Sequence, residues 1–100
     1  MVTVGENGEV VFELDAPLAR DVEVIGNFRG WHEIGIPMSR ARDGQWKLMI
    51  DPGPGEHLFR YRIDESRYAL DADAHGVCRT GDGTLKCRVW CPPDPGRIAA

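Results

Sequence analysis

Asp51-Pro52-Gly53-Pro54-Gly55-Glu56-His57-Leu58-Phe59-Arg60-Tyr61-Arg62-Ile63-Asp64 decides the fold. Its first five residues cannot continue a strand. Prolines have no N–H to give a ladder and glycines favour turns, so this run is a rigid connection. Beyond it, His57, Phe59, Tyr61 and Ile63 alternate with Leu58, Arg60, Arg62 and Asp64. Large apolar residues at every second position mark a half-buried strand, with Phe59 and Tyr61 toward a core and Arg60 pointing away.

Working outward, the same period recurs on both sides. After a turn at Gly5 to Gly8, Val10, Phe12 and Leu14 alternate with Val11 and Glu13, and Asp15-Ala16-Pro17 breaks the run. Val22-Glu23-Val24-Ile25-Gly26 starts a second strand. Ile34 to Asp43 has no clear period, and Asp43-Gly44 turns into a third strand with Trp46, Leu48 and Ile50 on one face. Glu65-Ser66-Arg67 turns into a short strand around Tyr68 and Leu70, and Asp71 to Gly83 reads as a loop. Leu85, Cys87, Val89 and Cys91 then alternate with Thr84, Lys86, Arg88 and Trp90. About six short strands with regular turn signals and no helical period predict an all-β, antiparallel β-sandwich. It forms a single domain over residues 1–91, followed by a proline-rich flexible tail, residues 92–100.

Gly 12 and Pro 7 in 100 residues fit many short elements better than a few long helices. A net charge of -4 argues against a nucleic-acid partner that needs a basic face, and against an anionic membrane surface. With no signal pattern and no spanning apolar run, the expected compartment is the cytoplasm, where thiols stay reduced. The three cysteines, Cys78, Cys87 and Cys91, are odd in number and do not form a disulfide framework. A Cys87–Cys91 bridge within one strand would have to span about 13 Å.

The alternation also sorts the aromatics. Phe12, Trp46, Phe59 and Tyr61 fall on core faces, and Phe28 plugs one end of the sandwich. Trp31, Tyr68 and Trp90 remain, and an exposed aromatic is a platform for a flat apolar ligand face.

Val24-Ile25-Gly26-Asn27-Phe28-Arg29-Gly30-Trp31, Asp43-Gly44-Gln45-Trp46 and Pro54-Gly55-Glu56-His57-Leu58-Phe59-Arg60-Tyr61-Arg62-Ile63-Asp64 follow in order. Together they resemble the glycogen-binding, isoamylase early-set family of carbohydrate-binding modules (family 48). That family includes the module of the AMP-activated protein kinase β subunit. The resemblance covers roughly residues 8 to 90. It implies an immunoglobulin-like early-set sandwich whose surface binds α-1,4-glucan or malto-oligosaccharide through two aromatics, a lysine, an apolar residue and an asparagine. The first aromatic falls on Trp31 and the second on or next to Tyr68, where the family favours Trp. The lysine falls on Arg60, which keeps charge and donors but changes their geometry. The asparagine falls near Lys86 and the apolar residue near Asp82, both departures from the pattern. Trp31, Arg60, Tyr68 and Lys86 are therefore the candidate carbohydrate-binding residues. Losing an acceptor at Lys86 weakens the expected affinity to about millimolar to tens of micromolar.

Other constellations carry less. Asp71-Ala72-Asp73-Ala74-His75-Gly76 with Asp82 imitates a calcium loop, but its flanks are strands, and Asp71 is more simply a turn residue. His75, Cys78, Cys87 and Cys91 lack the tight spacing of a zinc knuckle, and Cys87 lies on a core face. No metal or other cofactor is expected. No nucleophile elbow, phosphate loop or recognisable carboxylate pair is present, so the chain is not expected to be an enzyme. The resulting reading is a non-catalytic α-glucan-binding module, with a glucan-metabolising or regulatory protein as partner. Its alternative is a degenerate sandwich used for protein docking, in which the Trp90 strand is an edge that pairs with a partner. An accessory fragment of a glucan-processing enzyme is the third reading, disfavoured by a chain that starts at Met1 and ends in a proline-rich tail.

Overall fold

The computed structural model describes residues 1–28 and 33–93. Among these, ten strands follow one another: β1 Val2–Val4, β2 Val10–Asp15, β3 Val22–Gly26, β4 Ile34–Pro37, β5 Ser39–Arg40, β6 Gln45–Ile50, β7 Gly55–Ile63, β8 Arg67–Ala69, β9 Gly76–Arg79 and β10 Leu85–Cys91. One antiparallel sheet runs in the order β1-β2-β6-β5. The other runs β4-β3-β7-β10-β9, and β8 pairs with the C-terminal end of β7. The expected sandwich is present.

The two inner faces are the ones the alternation assigns. Val10, Phe12 and Trp46 from the first sheet meet Val22, Val24, Phe59, Tyr61, Cys87, Val89 and Cys91 from the second. Phe59 is met edge-on by Phe12 at 4.9 Å and packs against Tyr61 at 5.7 Å between ring centroids. Phe12, Phe59 and Tyr61 are fully buried, each contributing about 1.5–3 kcal/mol of transfer free energy. Phe28 closes one end, 6.0 Å from Phe12 and 5.8 Å from the His57 ring.

The motif residues have local physical reasons. A Cβ on Gly26 would lie 2.5 Å from the Phe28 ring, so only glycine lets Phe28 fold back over the strand end. Asn27 extends the β3–β7 pairing by one step. Its backbone N–H donates to the Leu58 carbonyl, and its side-chain oxygen accepts from the Leu58 N–H, both at 3.2 Å. His57 is buried, with Nε2 2.9 Å from the Gly53 carbonyl oxygen, which ties down the proline-glycine connection.

Four expectations need correction. Residues 71–83 are not one loop, because β9 lies within them and pairs with β10 from Leu85↔Arg79 to Arg88↔Gly76. Both faces of β9 are half-open, so its sequence shows no alternation. Ile34 to Asp43 hides two short strands: β4 pairs with β3 and β5 with β6. β1 was not expected, being only three residues long. The strand carrying Trp90 is not an edge, since β10 lies between β7 and β9. Beyond the end of β9, the Trp90 N–H donates to Nδ1 of His75 at 2.8 Å. Of the proposed tail, residues 94–100 lie outside the described residues.

Asp71 is more than a turn residue. Its Oδ1 accepts from the Asp73 N–H at 2.9 Å, the expected Asx turn. It is also buried, and Oδ2 accepts from the Tyr61 hydroxyl at 2.5 Å and lies 3.1 Å from the Met1 α-amino group.

Candidate functional site

The outer face of the larger sheet carries the polar half of each alternating strand. Residues opposed across a ladder share a face, so its surface can be read row by row. One row runs Pro37–Glu23–Arg62–Tyr68 across β4, β3, β7 and β8. The next runs Gly35–Ile25–Arg60 across β4, β3 and β7. Lys86 precedes Cys87, which pairs with Phe59, so Lys86 stands at the level of Arg60. Arg60, Tyr68 and Lys86, separated by up to 26 positions in the sequence, are thus brought to one face.

Arg60 and Tyr68 are in direct contact. The guanidinium carbon lies 3.8 Å from the centroid of the Tyr68 ring, and Tyr68 as a whole remains 51% exposed. A guanidinium over an aromatic face is attracted by the ring quadrupole. Ile25, also on this outer face, is buried although it lies outside the cluster between the sheets.

The other cations of this face are matched by carboxylates. Arg62 Nη2 donates to Glu23 Oε1 at 2.9 Å, Lys86 Nζ pairs with Glu33 Oε2, and Arg88 Nε lies 3.9 Å from Glu56 Oε1. The hydrogen bond to Glu23 is the largest cause that raises the Arg62 pKa further above its ordinary value. Lys86 keeps its side chain only 14% exposed, held by Glu33 rather than extended into solvent. Trp31, the first expected aromatic, lies outside the described residues.

Sequence reasoning missed Glu23, Arg62 and Glu33. A charge at alternate strand positions is an ordinary solvated face, and its partner depends on a register the sequence does not print. Gly35 was missed for the same reason: a Cβ there would lie 2.3 Å from Glu23 Oε2 and 3.0 Å from Ile25 Cδ1. The glycine leaves room for the carboxylate.

The remaining constellations do not converge. Among the described residues no three of His, Cys, Asp and Glu are grouped to hold a metal ion. Asp82 is committed to its own turn, accepting from the Thr84 N–H at 3.0 Å and from the Thr80 hydroxyl. These donors hold its carboxyl well below the usual range. All three cysteines are free; Cys87 and Cys91 are buried, and burial pushes both thiols up. No helix among the described residues is long and apolar enough to cross a membrane.

Comparison with known proteins covers most of the chain. The family model of carbohydrate-binding module 48 (isoamylase N-terminal domain) matches residues 2–81. A 1,4-alpha-glucan branching enzyme GlgB of Novosphingobium aromaticivorans is 40% identical over 73 residues, covering 68% of this chain and 10% of the enzyme. GlgB 2 of Xanthomonas campestris is 35% identical over 74 residues, covering 72% of this chain and 10% of the enzyme. Among solved structures, a Paenibacillus barengoltzii pullulanase complexed with maltotetraose aligns with a TM-score of 0.63 at 26% identity. The alignment covers 86% of this chain and 14% of the pullulanase. Pullulanase from Anoxybacillus sp. LM18-11, at 22% identity and a TM-score of 0.68, supports the fold over 96% of this chain and 13% of its own. The chain thus spans about a tenth of the curated relatives' length.

Proposed function

The chain belongs to the carbohydrate-binding module 48 family, the isoamylase N-terminal domain, and from that premise we propose that it is a non-catalytic α-glucan-binding module. Its ligand is an α-1,4-glucan such as glycogen, starch or a malto-oligosaccharide, held on the outer face of the larger sheet. A glucose ring has an axial C–H face that packs on an aromatic plane and a rim of hydroxyls that need planar donors. Tyr68 supplies one plane, and Trp31, the other aromatic position of the family resemblance, is the candidate for a second. Arg60 borders the platform with donors, and Lys86, paired with Glu33, stands at its level on the neighbouring strand. The observation that carries this reading is the half-exposed Tyr68 ring in contact with Arg60, on the positions where the family resemblance sets an aromatic and a cation. The branching enzymes and pullulanases, many times longer than this chain, support a role in holding a glucan-active partner at its polymer.

The test is a titration with maltoheptaose followed by tryptophan fluorescence and amide chemical shifts. Expected is saturable binding in the range of tens of micromolar to about a millimolar, weakened about tenfold or more by Trp31→Ala or Tyr68→Ala. No response at millimolar sugar sinks the reading. A response that neither substitution touches keeps the ligand and moves the site.

A further inference from the structure

We propose that Glu23 and Arg62 are positioning residues of the glucan site, acting on the sugar only through Tyr68. The inference rests on the reading of Tyr68 as a stacking platform. Tyr68 lies at the centre of β8, a three-residue strand beside the end of β7, and half of its surface is open. An exposed tyrosine left to itself visits more than one staggered rotamer. Freezing it when a ligand arrives opposes binding, whereas a ring ordered beforehand removes that cost.

Three side chains order it here. Arg60 covers one face of the ring, so a sugar ring is left only the other face. Arg62 stands directly opposite Tyr68 across the β7–β8 ladder, so its side chain flanks the ring on the same face. Glu23, directly opposite Arg62 on β3, holds that guanidinium at 2.9 Å. A guanidinium is planar and rigid, so one held by a carboxylate makes a fixed wall beside the neighbouring ring. Gly35, at the far end of the arrangement, leaves the space that the Glu23 carboxylate occupies. Neither Glu23 nor Arg62 needs to touch sugar.

The experiment is a mutant cycle on the full chain, read by maltoheptaose titration and by NMR contacts between the Tyr68 ring protons and the Arg60 side chain. Glu23→Gln and Arg62→Met are expected to weaken binding about three- to tenfold. Arg62→Lys recovers only part of the loss, since an ammonium lacks the planar fork. In a Tyr68→Ala background neither substitution weakens binding further, and the Tyr68–Arg60 contacts fade in Arg62→Met. Equal losses with and without Tyr68, or unchanged affinity in the single variants, overturn the proposal. So does a Tyr68–Arg60 contact pattern unaltered in Arg62→Met, which is readable even without sugar. A wild-type chain that binds no maltoheptaose overturns the glucan reading itself, and the positioning role with it.

Discussion

Replacing Tyr61 by Phe removes one oxygen atom from the core and tests whether the Tyr61–Asp71 bond holds the two ends of the site strand together. The ring volume is kept, so the change leaves almost no cavity. The loss is a 2.5 Å hydrogen bond from a fully buried phenol to a carboxylate that is itself buried. Bonds to charged groups contribute about 1.5–3 kcal/mol. Asp71 keeps the Asp73 N–H at 2.9 Å and the Met1 α-amino group at 3.1 Å. The charge is not orphaned, and the lower part of that range, about 2 kcal/mol, is expected. For a chain of 100 residues this lowers the melting midpoint by about 8–15 °C. It lowers the urea midpoint by about 1–2 M at unchanged m. Tyr61 pairs with Ala69, next to Tyr68, and Asp71 follows two positions later. The bond therefore closes the segment that carries the exposed ring. Far-ultraviolet circular dichroism during thermal and urea unfolding is the assay. A shift under about 2 °C, within the range of surface substitutions, would refute the reasoning, because a bond made in a dry core cannot be that weak.

Glu65 has φ 62° in the turn between β7 and β8, beside Asp64 at φ 51°, whose carboxylate is held by the backbone N–H groups of Arg20 and Asp21 at 2.7 and 3.0 Å. Glu65→Gly relieves left-handed strain against a glycine entropy cost, for a net gain of about 0.5–1 kcal/mol in urea unfolding; a loss of stability contradicts this. At high pH the chain should lose stability. Burial, then the bond to Asp71, pushes the Tyr61 hydroxyl far above the usual tyrosine range, and burial raises Cys87 and Cys91. The unfolded chain releases these protons first, so the native state holds more of them and unfolding is favoured. The decline starts near about pH 8.5 and steepens past about pH 10, and a midpoint flat from pH 8 to 11 would be inconsistent with it. A disulfide thiol reagent should label Cys78 in the folded protein and reach Cys87 and Cys91, both 0% exposed, only at the rate of unfolding. Three thiols reacting at one rate would disprove that burial.

The alternation over β7 was legible residue by residue. Phe59 and Tyr61 are in the core and Arg60 is on the outer face, as a period of two requires. Cys87, Val89 and Cys91 likewise face inward, with Trp90 outward. β9 was not legible, because Val77 is 50% exposed, and a half-wet strand carries no hydrophobic period. Asp71 illustrates the opposite failure. Its turn role is local and was expected, while its burial against Tyr61 depends on a contact between residues ten positions apart.

By itself, then, the sequence determined that this chain is a β-sandwich and which residues face its core, and the family resemblance marked Trp31, Tyr68 and Arg60 as the positions proposed for a glucan platform. These follow from local rules of period, turn chemistry and motif, which act over a few neighbouring residues. Only the tertiary structure decided that Arg60 lies over the Tyr68 ring, that Arg62 is held by Glu23 opposite Tyr68, and that Lys86 is held by Glu33. Each of those contacts joins residues on different segments, and the strand register behind them is set by the sum of many pairings. One alternating pattern therefore reveals which face a charge takes. It does not reveal which partner stands opposite.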